Sequence, residues 1–117
     1  VVVDVSFAAG HHTPPQAEAE LGRGPMLGIA ANLSREMFAK MRHTAEMADV
    51  AVQTEVMAGR TGTNADRIVS AGAGIPCALV SIPLRNMHTA VEVVSLSDVE
   101  QTGRLLAEYA KGGIGHA

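Results

Sequence analysis

Residues 81–88 have the sequence Ser81-Ile82-Pro83-Leu84-Arg85-Asn86-Met87-His88, and a second apolar run follows, Val91-Glu92-Val93-Val94. This pattern predicts a short apolar strand that delivers a lone histidine to the rim of a sheet. The chain opens with another apolar strand, residues 1–8, in which Asp4 is the one carboxylate. A buried carboxylate without a partner costs several kcal/mol, so Asp4 is expected to need a cation or hydrogen-bond donors. A divalent metal joining Asp4 and His88 would satisfy both side chains.

The composition is that of one globular domain of 117 residues, with 47% apolar but only 3% aromatic residues. The core must therefore be built mainly from aliphatic side chains and methionine. A net charge of −3 without a basic cluster argues against nucleic acid as a partner. No apolar run reaches the length of about 18 residues that a membrane span needs, so no membrane partner is expected. The single cysteine, Cys77, cannot form an internal disulfide and is expected in the core, which favours a cytoplasmic location.

Apolar periodicity and glycine or proline breakers divide the chain into alternating strands and helices. The expected elements are strands at 1–8, 26–31, 50–57, 75–82 and 91–94, and helices at 33–48, 65–71 and from 97 onward. Their alternation predicts an α/β fold with three layers. The chain starts with Val1 in the middle of a strand, and it is therefore expected to be a piece of a longer protein.

Helical spacing predicts which faces of the long helices point inward. The first long helix is expected to bury Met37, Met41, Ala45 and Ala48. The last helix is expected to begin at Ser97 with a capping box to Glu100, and to bury Val99, Leu106, Tyr109 and Ala110.

Common cofactor and metal motifs are missing from this sequence. It contains no dinucleotide fingerprint, no phosphate-binding loop and no zinc motif of the His-Glu-x-x-His or Cys-x-x-Cys type. The adjacent His11 and His12 point apart in an extended chain, and a surface loop is the expected setting for them. From the residues alone, the pattern favours a structural role for His88 over that of a metal ligand, and both stay open.

Three blocks give a more specific indication when they are taken together. The first is Asp4-Val5-Ser6-Phe7-Ala8, and the second is Leu21-Gly22-Arg23-Gly24-Pro25. The third starts at Gly62-Thr63-Asn64-Ala65-Asp66 and continues through Ile82–Thr89 to Glu92-Val93-Val94. In this order, over nearly all of residues 1–110, they resemble the C-terminal third of the M42 family of metallo-aminopeptidases. That group includes glutamyl aminopeptidases, deblocking aminopeptidases and "cellulase M".

The resemblance implies a fold and a site. Residues 1–117 would be the incomplete C-terminal portion of one zinc-peptidase-like catalytic domain with a central mixed sheet. Two divalent ions, zinc or cobalt, would bind there, with Asp4 as a ligand of one and His88 as a ligand of the other. Thr63, Asn64 and Arg85 would contact the peptide substrate, and the protein would form a homo-oligomer. The general-base glutamate and the remaining ligands precede the Asp4 strand in that family, so this chain is expected to lack them.

Three functional hypotheses remain. The first is a segment of a two-metal aminopeptidase that removes N-terminal residues from peptides. The second is a catalytically inactive fragment that folds and self-associates. The third, a glycan hydrolase, rests only on the name "cellulase", because glycosidases need two facing carboxylates and no such pair stands out in the sequence.

Overall fold

The computed structural model describes residues 1–10 and 19–112. Its elements are, in order, β1 (Val2–Phe7), β2 (Met26–Ile29), α1 (Arg35–Met47), β3 (Gln53–Val56), α2 (Ala65–Ile68), β4 (Leu79–Arg85), β5 (Val93–Val94) and α3 (Leu96–Lys111). His11, His12 and His116 lie outside the described residues. Within the described ranges, no helix is long and apolar enough to pass through a bilayer.

The strands form one mixed sheet in the order β1-β4-β2-β3, with β5 pairing with β4. Strand β1 runs parallel to β4, and β2 runs parallel to β3. Strand β2 is antiparallel to β4, so the carboxyl ends of β2 and β3 lie at the amino end of β4. The sheet therefore presents loops of different origin at its two ends.

Two apolar clusters lie on opposite faces of this sheet, because successive strand residues point to opposite sides. On one face, Val80 and Leu27 pack with buried residues of α1 and α3, namely Met41, Ala45 and Leu105. On the other face, Leu79 packs with Ala65 of α2, with Leu33 and with Cys77, which is buried as expected. The α/β fold with helices on both sides of a mixed sheet is confirmed.

Helix α1 has the face that the sequence predicts. The hydroxyl of Ser34 caps its amino end by accepting a hydrogen bond from the backbone N–H of Met37 at 3.2 Å. Met41 and Ala45 are buried, and Met37 and Ala48 pack half-buried against the same cluster. The apolar spacing thus predicts the orientation of this helix correctly.

Helix α3 begins one residue earlier than predicted, at Leu96 after the N-cap Ser95, and it is rotated so that two of the four predicted residues, Leu106 and Tyr109, pack against the core. Its buried residues are Asp98, Thr102 and Leu105, whereas Val99 is 42% exposed. The Asp98 carboxylate accepts hydrogen bonds from the backbone N–H groups of Gly22 and Gly24, both at 2.8 Å. These two donors offset the cost of burying the Asp98 carboxylate. The face of α3 that carries Asp98 can therefore point into the core, although it is polar in sequence.

Candidate functional site

Asp4 lies in the middle of β1, opposite Ser81 of β4. The strand alternates, with Asp4 half-buried and Val3, Val5 and Phe7 exposed by 44%, 37% and 43%. The apolar residues 1–8 predict a buried strand, and this prediction is wrong, because β1 has a sheet neighbour on one side only among the described strands. The Asp4 carboxylate accepts a hydrogen bond from the backbone N–H of Val5 at 2.7 Å. Asp4 thus has a local donor and keeps further coordination capacity.

His88 is exposed in the turn between β4 and β5, where the backbone adopts the left-handed conformation twice. The φ angles are +59° at Asn86 and +63° at His88, values that are uncommon for residues other than glycine. The Thr89 hydroxyl donates to the carbonyl oxygens of Asn86 and Val91, at 2.6 and 3.1 Å. The His88 backbone N–H donates to the Glu92 carboxylate at 3.4 Å. A turn with these internal bonds holds the imidazole in an exposed position.

Asp4 and His88 lie on neighbouring elements of the sheet. Strands β1 and β4 run in the same direction, with Phe7 opposite Leu84, so their carboxyl ends meet at one edge. Asp4 precedes that edge by one short stretch of strand, and His88 follows it in the next turn. The convergence of both side chains on one metal centre stays a prediction.

Metal binding needs more donors than these two side chains. Stable zinc sites generally use three or four protein ligands. Over residues 1–10 and 19–112, no three His, Cys, Asp or Glu side chains cluster closely enough to hold an ion. Asp4 and His88 have the right donor chemistry but do not make a complete site by themselves.

Arg85 ties the carboxyl ends of β1 and β4 together. Its Nε donates a hydrogen bond to the carbonyl oxygen of Ala9 at 3.0 Å, and the side chain is otherwise exposed. Arg85 comes immediately before the left-handed Asn86, so this bond fixes the point at which the His88 turn begins. The guanidinium keeps other N–H donors for a ligand.

Thr63 and Asn64 lie at the other end of the sheet, in the loop that follows β3. The Asn32 side-chain amide donates a 2.9 Å hydrogen bond to Asp66, two residues after Asn64. Asn32 follows the carboxyl end of β2, so this bond holds the Thr63–Asn64 loop at that end of the sheet. The Thr63 hydroxyl is 2.8 Å from that of Thr61 and accepts a bond from the backbone N–H of Ala65 at 3.2 Å. The structure therefore separates the predicted site residues into two groups, Asp4 with His88 and Arg85, and Thr63 with Asn64.

An apolar cavity of about 250 Å³ lies at the same end as Thr63 and Asn64. Its lining includes Gly28, Ile29, Ala30, Leu33, Arg35 and Phe38. A Cβ atom at Gly28 would come within 3.0 Å of Met57 Cε and 3.2 Å of Leu79 Cβ, so a side chain there would require these neighbours to shift by a few tenths of an ångström. No residue pattern in the sequence indicates this cavity, because its walls come together only when β2 packs against the start of α1.

Asp66 is the most strongly hydrogen-bonded carboxylate near the predicted site residues, and it is not among the site residues that the sequence predicted. The pKa of Asp66 is held well below its usual range, first by the backbone N–H of Thr61 and then by the Asn32 amide and the Thr61 hydroxyl. A further bond comes from the backbone N–H of Gly62 at 2.8 Å. The signal in the sequence was the run Thr61–Asp66, whose polar side chains can bond with one another.

The lowered pKa of Asp66 predicts how its loop responds to acid. A carboxylate with a folded pKa below the unfolded value, about 3.9, contributes stability that is present above that value and is lost as pH falls through the folded pKa. The Thr61 and Gly62 amides should therefore stay protected from hydrogen exchange from pH 7 down to about 4. NMR exchange rates, corrected for the intrinsic pH effect, measure this. Loss of protection between pH 5 and 4 would contradict it.

The comparisons with known proteins point to one family. The family model described as M42 glutamyl aminopeptidase matches residues 1–105. The lysyl aminopeptidase of Pyrococcus furiosus is 30% identical over 105 residues, which are 90% of this chain and 30% of that protein.

Two solved structures show the same likeness. The TET aminopeptidase from a marine sediment Thaumarchaeota archaeon has a TM-score of 0.84 and 30% identity, covering 94% of this chain and 32% of that one. The TET1 peptidase of Pyrococcus horikoshii has a TM-score of 0.67 and 25% identity, covering 92% of this chain and 32% of that one. The chain thus spans about a third of the length of these relatives. Because the family model matches nearly the whole sequence, the chain belongs to the M42 glutamyl aminopeptidase family.

Proposed function

We propose that this chain is a portion of the catalytic domain of a metal-dependent aminopeptidase, which hydrolyses N-terminal residues from peptides. The observation that carries the proposal is the parallel register of β1 on β4. It supports the expectation that Asp4 and His88 lie toward the same edge of the sheet. The family match over residues 1–105 includes both residues. Relatives of about three times this length bear aminopeptidase names, and their activity is proposed here for the whole protein.

In this proposal, Asp4 and His88 each supply one ligand to one of two divalent ions, zinc or cobalt. Carboxylate oxygen and imidazole nitrogen are donors that such ions accept. The bound ions would lower the pKa of a water molecule and polarise the scissile carbonyl. The general base and the other ligands are proposed to lie outside residues 1–117, so the isolated chain is proposed to be inactive.

The chain's own contribution is to position groups. Arg85 fixes the start of the His88 turn through its bond to Ala9, which keeps the imidazole at the sheet edge. Thr63, Asn64 and Arg85 are proposed to contact the peptide. Among these, Asn64 is exposed and its side chain makes no hydrogen bond to the rest of the described chain, so its amide remains available to a ligand.

An assay with and without metal tests this function. Hydrolysis of the p-nitroanilides of leucine, lysine and glutamate should require added Zn²⁺ or Co²⁺ and stop with EDTA, in the protein that contains this segment. His88→Ala and Asp4→Ala should each lower kcat/KM by about 100-fold, because each removes a metal ligand. His43→Ala is the matched control, since His43 is exposed on α1, and it should change the rate less than about twofold. Unchanged activity in His88→Ala would contradict the proposed ligand role.

A second candidate function, a catalytically inactive self-associating unit, is favoured by the exposed apolar residues of β1. Val3, Val5 and Phe7 lie on a strand with no further sheet neighbour among the described strands, and exposed apolar edges favour pairing with another chain. The TET1 peptidase of Pyrococcus horikoshii can assemble into a tetrahedron or a large octahedral shell. We propose a homo-oligomer in the cytoplasm under either function. Oligomers without metal-dependent hydrolysis would support the second candidate.

A further inference from the structure

We propose that Asp66 is a positioning residue, whose carboxylate fixes the Thr61–Asn64 loop and thereby holds the Asn64 side chain for contact with a peptide substrate. This inference rests on the proposed function, because it concerns how that site takes its substrate. It assigns a role to a residue for which family membership and sequence pattern gave none.

The first step is the set of donors around the Asp66 carboxylate. Oδ1 accepts from the Thr61 backbone N–H at 2.9 Å, from the Thr61 hydroxyl at 2.7 Å and from the Asn32 side-chain amide at 2.9 Å. Oδ2 accepts from the Gly62 backbone N–H at 2.8 Å. All four donors are neutral, so the negative charge makes these bonds stronger than neutral ones without an ion pair.

The second step is that the loop has little apolar packing to order it. Gly59 and Gly62 have φ angles of +103° and +74°, and a Cβ at either position would meet nothing within 4 Å. Arg60, Gly62 and Asn64 are exposed, so apolar burial contributes little here. Segments with few buried contacts open readily unless polar bonds hold them closed. The Asp66 carboxylate supplies those bonds from within the following helical turn.

The third step is the anchoring of the loop to the sheet. Asn32 belongs to the segment between β2 and α1, next to the cavity residues Ala30 and Leu33. Its Oδ1 is buried and has no hydrogen-bond donor within the described residues. The bond from its Nδ2 to Asp66 is therefore the polar contact that orients this amide. Asp66 joins two segments that are far apart in sequence, and so fixes the loop relative to the sheet.

The fourth step concerns what the loop leaves available. The Thr63 hydroxyl is engaged by Thr61 and Ala65. Asn64 stands directly before α2 with an exposed side chain and no capping bond. An amide that offers both donors and an acceptor on a fixed backbone suits a peptide backbone or a polar side chain. The fixed loop therefore presents Asn64 as its free polar group.

The experiment compares Asp66→Asn with Asp49→Asn, a matched control of the same chemistry at an exposed position whose φ of +54° asparagine tolerates. Hydrogen exchange at pH 6 should quicken about tenfold at the Thr61 and Gly62 amides in Asp66→Asn, with Val80 in β4 unchanged. Asp49→Asn should leave these rates as they are. Thr61→Val, which loses the hydroxyl bond to Asp66 and the two bonds between that hydroxyl and Thr63, should quicken exchange at Gly62 by about threefold and is the second variant if Asp66→Asn does not fold.

Kinetics of the metal-loaded protein on a peptide of about eight residues, which is long enough to reach from the carboxyl ends of β1 and β4 to the opposite end of the sheet, then separate positioning from general stability. Asp66→Asn and Asn64→Ala should each raise KM about tenfold with kcat nearly unchanged, and the double variant should be no worse than Asn64→Ala alone. Additive effects would overturn positioning through Asn64. Wild-type exchange rates in Asp66→Asn would overturn the loop clamp itself. An absence of metal-dependent hydrolysis by the wild-type protein would overturn the proposed function and the substrate role together, while the exchange result still decides the clamp.

Discussion

Asp98→Asn should lower the melting temperature by about 10 °C, which corresponds to about 3 kcal/mol of unfolding free energy. Asp98 is fully buried, and its two oxygens accept the backbone N–H groups of Gly22 and Gly24. The amide keeps the size of the side chain but turns an NH₂ group toward one of these donors. The result is a buried donor facing a donor, which loses one bond and leaves an N–H without an acceptor.

Thermal unfolding followed by circular dichroism measures this effect, and Asp49→Asn serves as the control. Asp49 is exposed and undergoes the same chemical change, so its melting temperature should move by less than about 2 °C. If the two variants melt together, the contact between Asp98 and the Gly22–Gly24 loop contributes nothing to stability. The structural reason for the rotation of α3 would then be wrong.

Gly24→Ala should destabilise the protein by about 4 kcal/mol, or about 15 °C in melting temperature. A Cβ at this position would approach the carbonyl oxygen of Ala51, a backbone atom that cannot rotate away, to within 1.9 Å. The φ angle of +89° adds a backbone penalty for any L-residue with a side chain. The backbone N–H of Gln53, the first residue of β3, donates to the carbonyl oxygen of Pro25 at 2.8 Å. A backbone shift at Gly24 would therefore also disturb the start of β3.

Gly22→Ala is the matched control for this clash. Gly22 has a similar φ of +84°, but a Cβ there would meet nothing within 4 Å. It should therefore cost only the backbone penalty, about 1 kcal/mol or about 4 °C. Equal losses in the two variants would show that close packing of Gly24 against Ala51 is not what the site requires.

The parts of the fold that follow from local pattern were predictable from the sequence. The apolar spacing of α1 gave its buried face, and alternating strands and helices gave the layered architecture. The predicted strand 75–82 lies four residues too early at its start, because the apolar Ile75 is exposed and pairing begins only at Leu79. Apolar character near a turn does not show where pairing with β1 begins.

The two acids with the largest structural roles were not predictable from local pattern. Asp98 is buried by donors that lie 74 and 76 residues away in the sequence. Asp66 bonds to Asn32, which is 34 residues away. In the sequence, both look like acids in the first turn of a helix, where the helix dipole already favours a negative charge. Only the packed sheet brings their donors close, and so gives each acid its second role.

The candidate site shows the same division between local and long-range information. The family resemblance pointed to Asp4 and His88, and the parallel pairing of β1 with β4 supports their position at one edge of the sheet. The left-handed turn that exposes His88 depends on hydrogen bonds among Asn86, Thr89 and Val91. No residue pattern in the sequence predicts these bonds. Periodicity likewise could not show that Thr63 and Asn64 lie at the opposite end, since that depends on strand direction.

The most direct measurement is a crystal structure of the zinc-loaded protein that contains this segment, with anomalous data recorded at the zinc edge. Two zinc ions should appear near the carboxyl ends of β1 and β4, one about 2.1 Å from an Asp4 oxygen and the other about 2.0 Å from a His88 ring nitrogen. Zinc bound without either side chain, or Asp4 and His88 turned toward different layers of the sheet, would contradict their role as ligands in one two-metal peptidase centre.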